Sequence, residues 1–121
     1  MNLRKNPLNP KHPMNNLNPE EHTMDFIVTA HDFVNQVENR MANREAHLVG
    51  LKKAINNGNI ISAGAITNEN GEMIGSSLHV RFETREQLDE WLKQEPYVTG
   101  KVWEKVCIEN VKLIDVASFI D

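Results

Sequence analysis

The sequence predicts an α+β fold in the order β-α-β-β-α-β, a four-stranded antiparallel sheet with two helices on one face. Three observations carry this. Four short apolar, β-rich runs are interrupted by two stretches of helical period. Asn70-Gly71 supplies a tight hairpin turn between the second and third strands. Thr84, with Gln87 three residues on, marks the start of a helix, and Pro96 marks its end.

The elements follow in order. Met24 to His31 is the first strand, with Asp32 at the turn behind it. From Asn35 to Asn56, Val37, Met41, Leu48, Leu51 and Ile55 recur at helical spacing, and this stripe is expected to pack on the sheet. Gly58 in Asn57-Gly58-Asn59 suits a left-handed helix cap. Ile60 to Ile66 is the second strand. Along the third, Met73 to Phe82, residues Ile74, Leu78, Val80 and Phe82 point one way, while Met73, Ser77, His79 and Arg81 point the other. Leu88, Trp91 and Leu92 form the buried face of the second helix, and Lys101 to Leu113 supplies the last strand. This is the ferredoxin-like pattern. Its sheet is bare on one face, and the semi-polar Ser77, His79 and Arg81 there fit a dimer interface with a second copy or a ligand cavity rather than a dry core.

Residues 1–23 differ in kind. Four of the five prolines and six asparagines fall there, so an extended or disordered arm is expected, with one domain from 24 to 121. His12 and His22 lie in that arm with nothing rigid to hold them at metal-ligand spacing. The whole chain has 121 residues and a formal net charge of −4, without the clustered Lys and Arg of a nucleic-acid surface. Cys107 has no second cysteine to pair with and sits in an alternating strand, where a buried structural thiol is expected. No apolar run reaches the ~18 residues of a membrane span, and no secretion signal opens the chain; the cytoplasm is the expected location.

Chemistry concentrates on two fragments, Arg44-Glu45-Ala46-His47 and Glu95-Pro96-Tyr97. Arg40, Arg44 and His47 share a stripe of the first helix. Glu95 sits at the end of the second helix, and two helices side by side on one sheet face bring His47 and Glu95 within reach of each other. If the two meet, they are a general acid/base dyad in which the carboxylate fixes the imidazole tautomer; if not, they are a surface histidine and an ordinary helix-end glutamate. Arg44 has the donor fork that binds a carboxylate, or else pairs with Glu38, Glu45 or a partner chain. Tyr97 is a donor to a ligand oxygen or a packing residue; His79 reads as interface filling, His31 as a weak cavity candidate, and Trp91 and Trp103 as core.

These fragments carry a family resemblance. Residues 24–112 resemble the YciI-like family in Arg44-x-x-His47, in Ala63-Gly64 at a strand, in Gly75-Ser76 on the third strand, and in Glu95-Pro96-Tyr97 followed by Gly100-Lys101-Val102-Trp103. The resemblance implies a dimeric α+β barrel whose active site centres on a histidine and an aspartate, here His47 and Glu95. It also implies a hydrogen bond from Ser76 to the ligand or to the dyad. One relative is a dehydrochlorinase of a chlorinated hydroxyquinol, and related folds carry muconolactone isomerases. Glu95 replaces the family's usual aspartate, which moves the carboxylate by roughly 1.5 Å, one C–C bond.

The expected function is therefore a small cofactor-free, metal-free enzyme that moves a proton by elimination or isomerisation on a small cyclic or aromatic-derived acid. His47 and Glu95 are the catalytic candidates and Arg44, Ser76 and Tyr97 the ligand-binding ones. The alternative is a non-catalytic small-molecule-binding or accessory dimer. No nucleotide loop or activated nucleophile is visible in the sequence.

Overall fold

Strand alternation becomes a four-stranded antiparallel sheet in the computed structural model, which describes residues 22–120. The strands β1 (Met24–Asp32), β2 (Ile60–Thr67), β3 (Met73–Phe82) and β4 (Trp103–Val111) lie in the order β2-β3-β1-β4. Between them run α1 (Val37–Asn56), α2 (Arg85–Lys93) and a one-turn helix, α3 (Pro96–Thr99); a 3-10 turn, Val116–Phe119, follows β4. The arrangement is ferredoxin-like. The arm expected for residues 1–23 falls outside the described residues except for His22 and Thr23.

Register decides which side chains meet the helices. Phe26 pairs with Val80, Val28 with Leu78 and Ala30 with Ser76. With side-chain period 2, these residues and Phe82 share one face, and all are buried. Ala54 of α1, Leu88 of α2, Tyr97 of α3, Val102 just before β4 and Trp103 at its start close the same core. The helices therefore cover one face only. The other carries Ile27 opposite His79, and Thr29 opposite both Ser77 and Cys107. Cys107 is exposed there. The buried thiol expected from alternation is thus corrected: this phase of β4 points away from the helices.

The expected buried stripe of α1 is also corrected. Val37, Met41, Leu48 and Ile55 are exposed, only Leu51 packs partly against the core, and the inward residues are Arg40, His47 and Ala54. Met41, Leu48 and Ile55 each sit one residue, about 100° of helix, past an inward one. Polar partners on the sheet, rather than apolar content, choose the face. At α2 the expected cap holds: Thr84 Oγ1 accepts from the Gln87 amide at 3.1 Å, and Gln87 Oε1 accepts from the Glu83 amide at 3.0 Å. Pro96 does not simply end this helix. It opens α3 at the first helical position, where its missing N–H is not needed.

The hairpin turn and the α1 exit both use positive φ at glycine, Gly71 (φ 81°) and Gly58 (φ 82°). Where β1 begins, Arg81 Nε and Nη2 donate to Asp25 at 2.7 and 3.0 Å. The Arg81 guanidinium holds the Asp25 carboxyl below its ordinary 3.8. The folded protein then binds fewer protons here than the unfolded chain, so the contribution is present above about 3.8 and lost as pH falls through the lower folded value. Because the pair is partly exposed, roughly 1 kcal/mol is at stake. Asp25→Asn is expected to lower the urea midpoint at about pH 6, with the gap to wild type narrowing as the pH is brought below that range. A gap that stays constant with pH contradicts this.

Candidate active site

Two turns of α1 place Arg40 and His47 on its inward side, and each meets a different element. Arg40 Nη1 donates to both Asp32 carboxylate oxygens at 2.9 Å, and Nη2 donates to Ser76 Oγ at 2.7 Å. A register shift between His31 and Asp32 in the β1–β4 pairing sets Asp32 opposite Trp103. Trp103 Nε1 donates to the same Ser76 Oγ at 3.3 Å. Gly75 makes this closeness possible, since a Cβ there would lie 2.5 Å from the Ala30 carbonyl oxygen. Any side chain would push β3 off β1 next to Ser76.

The Ser76 hydroxyl is oriented by its neighbours. Guanidinium and indole are donors only, so both bonds use the oxygen as acceptor. Its single proton remains for a group in the cavity that Ser76 lines. Serine is thus held as a hydrogen-bond donor, and no base touches it as a nucleophile would require.

His47 Nδ1 is hydrogen-bonded to Glu95 Oε1, and both residues are buried. Glu95 is the N-cap of α3, its carbonyl accepting from the Val98 and Thr99 amides at 2.8 and 2.9 Å. Its side chain makes no cap bond and instead turns to His47. Against a carboxylate, which only accepts, Nδ1 is the donor of that bond, and in the neutral imidazole this tautomer leaves Nε2 as the acceptor. Nε2 makes no hydrogen bond among the described residues. The Tyr97 ring stacks on the imidazole, centroids 3.9 Å apart and planes 13° apart, and the Arg40 guanidinium lies 4.6 Å from the centre of the same ring. Tyrosine thereby fills the interval between the two helix side chains and restricts both.

Above these groups a cavity of about 220 Å³ opens between α1 and the β2–β3 side of the sheet. His47, Ser76, Tyr97 and Arg44 line it, and Ala63 and Ala65 of β2 leave it room. For scale, a cavity of about 150 Å³ holds benzene. Arg44 makes no ion pair among the described residues, so the alternative of a bridge to Glu38 or Glu45 is not what forms. Burial pushes the Tyr97 phenol above 10, against the pull of Arg40 and Arg44, so it stays a donor at neutral pH. Burial also pushes Asp32 up from 3.8, against the Arg40 guanidinium.

The structure therefore joins His47 to Glu95 and brings Arg44, Ser76 and Tyr97 to one cavity. His31 is exposed and does not line it, and His79 lies on the opposite sheet face, bonded to Ser62 Oγ at 2.9 Å. Sequence reasoning missed Asp32 and the polar role of Trp103, and saw Arg40 only as a companion of His47. The seven-residue interval from Arg40 to His47, which returns a helix nearly to the same face, was the available signal.

Fold and site together define a ferredoxin-like α+β protein with a histidine–carboxylate pair beside a small, donor-lined cavity. The YCII-related domain matches residues 24–112, and the chain belongs to that family. An uncharacterized protein of Haemophilus influenzae is 32% identical over 97 residues, covering 75% of this chain and 99% of the relative. Protein YciI of Escherichia coli O6:H1 is 29% identical over the same shares. Among solved structures, 5-chloro-2-hydroxyhydroquinone dehydrochlorinase (TftG) from Burkholderia phenoliruptrix, in complex with 2,5-dihydroxybenzoquinone, has a similar fold. Its TM-score is 0.67 at 20% identity, over 74% of this chain and 94% of that one.

Removing one partner of the Arg40–Asp32 pair strands a buried charge. Arg40→Leu is expected to cost about 3–5 kcal/mol, and Arg40→Leu with Asp32→Leu to recover part of that loss. Urea unfolding of the two variants measures it; a double variant no more stable than the single one contradicts the pairing.

Proposed function

We propose that this chain is a small cofactor-free enzyme that transfers a proton on a small cyclic or aromatic-derived acid, by elimination or isomerisation. The observation that carries the reading is the bond between His47 Nδ1 and Glu95, which leaves Nε2 without a protein partner beside the cavity. His47 Nε2 takes the proton from the substrate, and Glu95 holds the tautomer and stabilises the imidazolium that forms. Developing negative charge on a substrate oxygen meets the Ser76 hydroxyl, the Tyr97 phenol and the Arg44 guanidinium, all donors already in place. In an isomerisation the imidazolium then acts as the acid and returns the proton to another substrate carbon; in an elimination the leaving group departs with its bonding pair and the imidazolium gives the proton to it or to solvent. The longer Glu95 side chain suits a carboxylate that approaches from an N-cap position with its cap bond unused.

The working unit is a cytoplasmic homodimer, the second copy covering the sheet face that bears Ile27, Thr29, Ser77 and His79. Among the described residues no helix is long and apolar enough to cross a membrane.

The test is a screen of 2,5-dihydroxybenzoquinone, lactones and halogenated phenols for binding, for turnover and for deuterium exchange from solvent at carbon. His47→Gln is expected to lower the exchange or turnover by roughly 10²–10⁴-fold, with Glu95→Gln following the same direction. Undiminished rates in His47→Gln refute the proton-transfer role. Ligands that bind with neither exchange nor turnover favour the non-catalytic binding module instead.

A further inference from the structure

Two apolar surfaces remain uncovered, and they lie at opposite edges of the sheet. The first is the C-terminal segment. Ile114, Val116, Phe119 and Ile120 are 66, 68, 70 and 75% exposed. The segment's own hydrogen bonds, such as Ser118 Oγ to the Asp115 carbonyl at 2.6 Å, are internal. It follows β4, an edge strand, and lies beyond residues 24–112 that match the family, so the domain core does not depend on it. The second surface is the outer side of α1, a shallow groove lined by Met41, Arg44, Glu45, Leu48, Val49 and Lys52. Val49 there is 66% exposed. Scattered exposed apolar residues are ordinary, but contiguous ones mark contacts.

Charge matches the two surfaces. Residues 113–121 contain two acids, Asp115 and Asp121, and no base. The groove has Arg44 and Lys52 against Glu45, and none of the three has an ion-pair partner among the described residues. Position favours a second molecule as the occupant. α1 packs over β2, at one edge of the sheet, while the segment leaves from β4 at the other. Two copies related by a two-fold axis make the exchange reciprocal, each segment meeting the other's groove. The seven residues 114–120 reach about 23 Å if fully extended, and about 18 Å with the 3-10 turn Val116–Phe119 kept, either of which exceeds the roughly 10–12 Å width of a helix with its side chains.

We propose that residues 114–120 of one copy dock in the α1 groove of a second copy. Phe119 and Ile120 pack among Met41, Leu48 and Val49, with Asp115 facing Arg44 and Lys52. Arg44 and Leu48 line both this groove and the cavity that holds His47. The docked segment therefore borders the cavity mouth, and the second copy becomes part of the site. This contact is separate from the sheet-face pairing proposed above, and its test requires no turnover.

Sedimentation equilibrium on the full chain, on a chain ending at Lys112, on Val49→Glu, and on the two changes combined reads the contact directly. Each change alone is expected to weaken self-association at least ten-fold, and the combination no further than either alone. In a Cys107→Ser background, Val49→Cys with Phe119→Cys is expected to oxidise to an interchain disulfide. Unchanged association in either variant, losses that multiply, an intrachain disulfide, or no disulfide at all would overturn the proposal.

Discussion

A buried guanidinium organises this protein. Arginine does not give up its charge inside a protein, so wherever it is buried the surroundings must supply acceptors. Arg40 obtains them from the end of β1, through Asp32, and from the middle of β3, through Ser76. Those two bonds set the rotation of α1 over the sheet. Once Arg40 faces inward, His47 and Ala54 follow at successive double turns, and Met41, Leu48 and Ile55 are left outside. The apolar stripe of the helix gives way because a buried charge without acceptors costs more than a few half-exposed aliphatic side chains.

The same constraint prepares the cavity. Arg40 and Trp103 both donate to Ser76 and so direct its proton outward. Arg40 and His47 hold the Tyr97 ring between them, and Glu95 fixes the imidazole from the other side. Ser76, His47 and Tyr97 are thus each restrained by a group behind them, which fixes the directions from which they meet a bound group. The small residues of β2 complete the design by leaving space where other side chains would fill it.

Glu95 illustrates how local structure and chemistry are joined. The Pro96-Tyr97 dipeptide starts a single-turn helix, and that turn presents Tyr97 inward and puts Glu95 at the N-cap. Because the carboxylate is not spent on capping, it is available to His47. A one-turn helix with little stability of its own therefore positions two site residues, and it persists because Tyr97 is buried in the core.

The sequence by itself determined the order of elements, the hairpin, the α2 cap and the pairing of phases along β3, because each depends on periodicity or turn chemistry within a few residues. It also marked His47, Glu95, Arg44, Ser76 and Tyr97 as candidates, through motif resemblance more than through physics. Only the tertiary structure decided which face of α1 turns inward, that Pro96 opens a helix, that Cys107 points to the bare sheet face, and that Asp32, Arg40 and Trp103 stand behind Ser76. The physical reason is sequence separation. Arg40 and Ser76 are 36 residues apart, and His47 and Glu95 are 48 apart. No periodicity within a helix or strand encodes a partner that far along the chain; the strand register and the packing of the helices supply it.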